Sequence, residues 1–341
     1  MFNILKLMSS ATSPSRAALL AAAVAITPIA SAQLKPDRLY YGINRSVPMT
    51  VSAPTRGGEL SIRLLAPVTA EVVASAPVAA GGVDLAGLFP KLWQPEGDPR
   101  VMYAQLFAGE TRVGPAVVIQ PMAAGRQAAP ILDPGTQRTW MWSDPRMKVY
   151  SGVRAYTDQR VILETTVGDA EFMLRPDEAP NTAFNFLHLA RGGYYTDIPF
   201  HRIATFLGRP SASVLQAGDP TTTNEGGPGY MIDLEDSRVP HEFGVLSMAR
   251  DRFQPNTAGA QVFIVLDREP CIGLDGQYTT FAQAVRGADV LVKLGATPVE
   301  PGTDKPVDAP RITRARVVDA PPYEGVPAFL SPPVSEAPPQ R

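Results

Sequence analysis

One cysteine in 341 residues, Cys271, leaves the chain no intrachain disulfide, so the fold must rest on its apolar cores alone. A lone thiol in a loop is a bystander by default, and no redox role is assigned to it. Histidine is almost as scarce. His188, His201 and His241 are too few and too scattered for a metal centre, and His241-Glu242 does not open a zinc motif because Val245 stands where its second histidine would be. The sequence also lacks a Gly-x-Ser-x-Gly elbow, which removes the usual serine hydrolase. Charge is low: 19% charged residues and a formal net charge of −2 give no basic footprint for nucleic acid. No cofactor, metal or nucleic-acid partner is expected.

What is there begins with apolar residues, 45% of the chain, enough for buried cores in two domains. Proline is the outlier, with 35 residues placed mainly in connecting segments. Residues 1–32 hold Lys6 and Arg16 and no acidic residue, then run Ala17 to Ala30 almost without polar interruption, followed by Ala30-Ser31-Ala32. This reads as a secretory signal peptide cut after Ala32, with a periplasmic or secreted destination. A membrane anchor is the weaker reading, since the run contains Pro28 and falls short of the ~20 residues a span requires. Cleavage takes the net charge from −2 to −4 and leaves no span in the mature protein.

From Leu34 to Gln120 short apolar runs (Leu60 to Leu65, Val68 to Val73, Val101 to Phe107, Val117 to Ile119) alternate with turn signals at Gly57-Gly58, Gly81-Gly82 and Gly109-Glu110. Strand-length runs of this kind predict a small β-sandwich over residues 33–120, with a structural or docking role. Residues 121–150 form a linker: Pro121 to Gly135 is rich in Ala, Pro and Gly, and Trp140, Trp142 and Tyr150 follow, the two Trp as packing residues at a junction. Arg160 to Pro176 predicts a hairpin turning at Gly168-Asp169. A helix follows, with Asn181 as N-cap, a stripe of Ala183, Phe186, Leu187 and Ala190, and a stop at Gly192-Gly193. His188 flanks the stripe. Asp233, Glu235 and Asp236 read as a solvated acidic loop. Residues 321–341, dense in proline, predict an extended, mobile tail.

Pro199-Phe200-His201-Arg202-Ile203, with Gln216-Ala217-Gly218-Asp219 downstream, places a guanidinium beside an aromatic and a Gly-rich turn. An arginine donates five N–H bonds and never acts as a base, so such a site holds a polar group by hydrogen bonding and shape. In order and spacing, Ala179-Pro180-Asn181-Thr182, Asn185-Phe186-Leu187, Tyr194-Tyr195, Phe200-His201-Arg202, Gln216 to Pro220, Gly226 to Tyr230, His241, Gly244 to Ala249, Gln261, Phe263-Ile264 and Leu274-Asp275-Gly276 resemble a bacterial cyclophilin-type peptidyl-prolyl cis-trans isomerase. The resemblance covers about residues 155–297, within an expected domain over 151–320. It implies a mainly β fold, a closed antiparallel eight-stranded barrel capped by two helices, the second near Gly287 to Leu294.

The family's activity is rotation about X-Pro bonds, which assists protein folding in the manner of a chaperone. The barrier is ~20 kcal/mol and falls without a covalent intermediate if the twisted amide is favoured. The resemblance assigns Arg202 to the prolyl amide as the catalytic group. It also assigns substrate contacts to His201, Gln216, Ala249, Gln261, Phe263, Leu274 and Tyr278, with Phe263 and Leu274 against the proline ring. Alternation along Gln261-Val262-Phe263-Ile264-Val265 independently puts Gln261 and Phe263 on one face. The chain departs from the family at Ser213 and Val214, where an aromatic and a Met usually wall the pocket. The loop after Ile203 is about four residues longer and offers Phe206 or Leu207 as a substitute. Gly273 stands where animal members carry a Trp that binds cyclosporin, and Arg250 where they carry Asn. Proline-containing polypeptides are the implied partners, and the protein is expected to be a monomer. A proline-binding module that keeps the fold without the rate enhancement stays open beside the enzyme.

Overall fold

The computed structural model describes residues 33–54, 58–93, 100–123, 128–130, 140–142 and 149–333. The segment read as a signal peptide, Gly57, and the side chains of Trp140 and Trp142 lie outside these. Short alternating runs in the first part form β1 (Gln33–Pro36), β2 (Tyr40–Gly42), β3 (Pro48–Ser52), β4 (Leu60–Leu65), β5 (Val72–Val78), β6 (Gly81–Asp84), β7 (Met102–Ala108) and β8 (Thr111–Ala123), with a short helix α1 (Leu85–Leu88) after β6. After β9 (Ala128–Pro130) and β10 (Trp140–Trp142), which pair with each other, comes β11 (Tyr150–Thr157). Among the described residues, β1-β3-β6 form one sheet and β2-β11-β8-β7-β4-β5 a second. Leu34, Met49, Val51, Ile62, Leu85, Leu106, Val117 and Val153 fill the space they share, so the first part is a β-sandwich.

The larger sheet is covered on both faces, which explains why β7 is buried along most of its length. Alternation sends Ala104 and Leu106 into the sandwich core, and Tyr103 and Phe107 into the core shared with the second part of the chain. Tyr156 on β11 meets Phe184 edge to face at 5.3 Å, and the Arg154 guanidinium lies 4.0 Å from the same ring.

The second part is the expected barrel. Strands β12 (Gln159–Thr165), β13 (Gly168–Leu174), β14 (Ile198–Ala204), β15 (Val214–Ala217), β16 (Val245–Met248), β17 (Val262–Val265), β18 (Thr280–Arg286) and β19 (Arg311–Asp319) close in the order β12-β13-β18-β16-β17-β15-β14-β19, and each described pair is antiparallel. Helices α2 (Pro180–Arg191) and α3 (Ala288–Gly295) pack on this barrel, and Phe186, Leu187, Ala190, Leu291 and Leu294 join its core. Among the described residues no helix is long and apolar enough to cross a membrane.

Several local expectations shift. The hairpin turns at Thr166-Val167, because Thr165 pairs with Gly168, which is already in strand. Gly168 has φ +133°, and a Cβ there would sit 2.8 Å from Val290 of α3, so glycine is required by the helix packed above it. Pro180 takes the first position of α2, moving the N-cap to Ala179, whose side chain caps nothing. The exposed amides are met from outside instead. Glu235 accepts from Asn181 N at 3.1 Å and from Thr182 N and Oγ1 at 2.7 Å each, so one carboxylate of the acidic run is a half-buried cap.

The linker boundary also moves. Tyr150, placed in the linker by sequence, and residues 151–157, placed in the second domain, form one strand that pairs with β8 and β2, so the sandwich runs to residue 157. The proline-dense end has no regular secondary structure over its described part, but it is anchored. Tyr323 is 2% exposed and stacks on Tyr103 with ring centroids 3.6 Å apart. Its hydroxyl donates to Pro67 O, Tyr323 N donates to Gln105 Oε1 at 2.9 Å, and Val326 N donates to Val68 O at 3.0 Å. On the barrel side Gln283 Nε2 donates to Pro327 O at 2.9 Å. Proline cannot donate a backbone bond, but the residues between the prolines do.

Candidate active site

Register across four adjacent barrel strands builds the site. Arg202 on β14 stands opposite Gln216 on β15, Gln216 opposite Phe263 on β17, and Phe263 opposite Ser247 on β16. Directly opposed residues share a face, so one row carries a cation, an amide and an aromatic. Their neighbours Ile203, Leu215, Ile264 and Leu246 point the other way into the barrel core. The row therefore lies on the barrel's outer face, where Phe263 gathers Ala204, Val214, Val245 and Val265 in a separate cluster.

Hydrogen bonds fix the polar members. Arg202 Nη1 donates to Gln216 Oε1 at 3.2 Å, Gln216 Nε2 to Gln261 Oε1 at 3.0 Å, and Gln261 Nε2 to Asn224 O and Gly226 O at 2.9 Å each. The loop bearing these carbonyls is shaped by buried Asp219, which accepts from Thr221 N and Oγ1 at 2.7 Å each. A Cβ on Gly226 would lie 1.9 Å from Asp219 Oδ1, so this approach admits only glycine. Burial pushes the Asp219 carboxyl up, but hydrogen bonds from Thr221 and Gly226 outweigh it and hold it below the usual carboxylate range. On the far side of Arg202, Nε donates to Asp304 Oδ2 at 3.0 Å and Nη2 reaches the same oxygen at 2.8 Å.

A cavity of about 140 Å³ opens beside this guanidinium. Arg202, Gln216, Ala249, Phe263, Leu274 and Tyr278, all named by sequence, line it together. Gln261 lines the adjoining cleft of about 760 Å³, which shares Gln216 and Ala249 with the smaller cavity. His201 is not brought to the cavity: it lines, together with Arg202 and Asp304, a cleft of about 290 Å³ on the other side of the guanidinium. Burial, opposed by Asp219, holds its pKa below the ordinary histidine value, so the ring is neutral at neutral pH.

Ser213 is fully buried and is no wall; its Oγ accepts from Phe206 N at 2.9 Å and ties down the longer loop. Of the two substitutes that loop offered, Phe206 lines the cavity with Val214, while Leu207 is 83% exposed. Arg250 also lines it, its guanidinium 4.6 Å from the Tyr278 ring centroid. Asp304 was not foreseen. It lies 102 positions from Arg202, and nothing in Thr303-Asp304-Lys305 marks its partner.

Ser247, His241 and Asp275 form a string that looks like a hydrolytic triad, with His241 Nδ1 2.8 Å from Asp275 Oδ1 and Nε2 3.1 Å from Ser247 Oγ. Ser247 and His241 are fully buried, and neither lines any of the three cavities, so no substrate carbonyl reaches the hydroxyl. The string is structural. His241 stacks on Phe263 at 5.7 Å with 4° between the rings, and Asp275 follows Leu274, so it braces two walls of the cavity. Burial outweighs Asp275 and lowers the His241 pKa. Cys271 is buried in the same cluster, and burial pushes its thiol up to about 12, so it stays protonated and unreactive.

Residues 160–317 match the family described as cyclophilin type peptidyl-prolyl cis-trans isomerase/CLD. Peptidyl-prolyl cis-trans isomerase CYP18-2 of Arabidopsis thaliana is 36% identical over 164 residues, 47% of this chain and 93% of that protein. A peptidyl-prolyl cis-trans isomerase-like 1 of Aspergillus fumigatus is 40% identical over 164 residues, 47% of this chain and 95% of that protein. A crystal structure of a Cryptosporidium parvum cyclophilin type peptidyl-prolyl cis-trans isomerase is 32% identical, covers 48% of this chain and 99% of that one, and aligns with a TM-score of 0.43.

Proposed function

The chain belongs to the cyclophilin-type peptidyl-prolyl cis-trans isomerase family, and from that premise we propose that it isomerises X-Pro bonds of exported polypeptides through Arg202. The observation that carries the reading is the guanidinium held at the mouth of the 140 Å³ cavity, with Phe263 and Leu274 as apolar walls and Gln216 and Gln261 beside it. The proline ring enters this cavity, and the amide edge faces Arg202. As the C–N bond twists, conjugation is lost and the lone pair returns to the prolyl nitrogen, which then accepts a hydrogen bond that the planar amide cannot. A donor aimed at that nitrogen stabilises the twisted state selectively. A charge-assisted bond worth about 1.5–3 kcal/mol gives roughly 10- to 150-fold in rate.

Arg202 serves only as donor, and the step needs no base or nucleophile. Phe206 supplies the apolar wall that Ser213 does not, which serves proline binding in either reading; the donor at Arg202 is what favours the enzyme over a binding module without rate enhancement. The decisive experiment compares the purified protein with Arg202→Ala on a proline-containing peptide. Export rests on the basic, acid-free start and the Ala30-Ser31-Ala32 site. Secreted protein should have the intact mass of a chain beginning at Gln33, and a mature chain retaining residues 1–32 would refute it.

A further inference from the structure

The guanidinium of Arg202 is held from two sides, and the second side is a loop far away in sequence. The segment between α3 and β19 closes on itself: Glu300 N donates to Lys305 O at 2.8 Å, Val307 N to Pro298 O at 2.9 Å, and Thr303 Oγ1 to Glu300 O at 2.9 Å. It is fastened to the strand that bears Arg202. Ile203 N donates to Asp304 O at 2.7 Å and Phe200 N to Pro310 O at 2.8 Å, so the Asp304 backbone is pinned one residue from the arginine. From there its Oδ2 takes both Nε and Nη2, while Gln216 takes one N–H of Nη1.

Three of the five guanidinium donors are thereby committed, leaving one on each terminal nitrogen for substrate. Gln216 alone meets a single nitrogen and leaves the planar group free to pivot about that bond. A second anchor on Nε and Nη2 removes the pivot. Both carboxylate and guanidinium are more than a third exposed, 40% and 35%, so the pair adds little to stability. Its consequence lies in where the remaining two N–H groups point.

We propose that Asp304 is a positioning residue for the isomerisation: pinned on β14 by its own backbone carbonyl, it orients Arg202 toward the twisted amide. This rests on the catalytic reading of Arg202 given above. An oriented donor matters because an ångström of misplacement can cost ~100-fold. Asp304→Ala should lower kcat/KM about tenfold, mainly through kcat and with KM within about twofold, because the donor acts in the transition state. Asp304→Asn keeps an acceptor oxygen without the charge and should fall between. The melting temperature should stay within about 2 °C of wild type in both.

A merely structural aspartate would act with or without the arginine, so the variants are repeated on Arg202→Ala, where removing Asp304 should change nothing further. A second readout needs no turnover. The Arg202 Nε–H resonance, assigned by its loss in Arg202→Ala, should be resolved in wild type and broadened or shifted in Asp304→Ala. The proposal is overturned if Asp304→Ala turns over like wild type, if it costs as much on the Arg202→Ala background, or if the resonance is unchanged. A wild-type protein that gives no acceleration while the resonance responds to Asp304 would sink the catalytic reading of Arg202 and leave the orientation of its side chain established.

Discussion

Replacing Tyr323 with alanine should loosen the attachment between the sandwich and the barrel. The ring is 2% exposed, lies 3.6 Å from the Tyr103 ring at an interplanar angle of 10°, and belongs to the core that joins both parts of the chain. Truncating a buried aromatic costs about 3–5 kcal/mol, of which the stack itself supplies about 0.5–1.5 kcal/mol. The hydroxyl bond to Pro67 O is lost as well, and the backbone bonds of Tyr323 and Val326 to Gln105 and Val68 lose the ring that shields them. At about 2–4 °C per kcal/mol for a chain of this size, the melting temperature should fall by roughly 6–20 °C. Tyr323→Phe keeps the stack and should lose only about 0.5–1.5 kcal/mol. Calorimetry reads both the shift and its shape, and separation into two transitions would mean that the parts melt independently once the strap is cut. A Tyr323→Ala protein that melts within about 2 °C of wild type in one transition would refute the strap as a source of stability.

Two further outcomes rest on buried groups and on the cavity wall. Burial raises the Asp158 carboxyl to about 7, Arg160 opposing, at the junction where β11 meets β12. The native state therefore holds this proton more tightly than the unfolded chain, and the group's contribution is full below about pH 4 and lost as pH rises to about 7, at most about 4 kcal/mol. Asp158→Asn should thus gain stability relative to wild type as pH rises from 4 to 8, read by denaturant melts, and a gap that does not widen would contradict the buried-acid assignment. Phe206→Ala removes an apolar wall, and at about 25 cal/mol per Å² a loss of roughly 1 kcal/mol, about fivefold in kcat/KM, is expected, mainly in KM; an unchanged value would show that Phe206 does not meet substrate.

Much of the barrel was legible because its signals are local. Alternation along Gln261 to Val265 separates Phe263 from Val262 and Ile264 in the fold as it does in the text. The Ala183, Phe186, Leu187 and Ala190 stripe needs no partner to declare a helix. What escaped depends on residues that meet only after closure. Asn181 is a good local cap, but Pro180 moved the start and Glu235, 54 positions on, supplied the acceptor. Prolines in the tail announced the absence of a core, whereas one tyrosine and a few backbone amides anchor it. The Ala-, Pro- and Gly-rich linker read as a boundary, but the sheet recruits Tyr150–Thr157 from beyond it. His201, beside Arg202 in sequence, shares a cleft with it but not the cavity at Phe263, because a bulge between Phe200 and Arg202 interrupts the alternation of β14.

The account turns on Arg202, and the direct test is the rate of cis-to-trans conversion of a proline-containing peptide with wild type and Arg202→Ala at matched concentration. Wild type should accelerate the conversion over buffer. Arg202→Ala should lose roughly 10- to 150-fold of that rate while its melting temperature stays within about 2 °C, since the side chain faces the cavity and contributes little to the core. No acceleration by wild type, or an Arg202→Ala protein as fast as wild type, would contradict it.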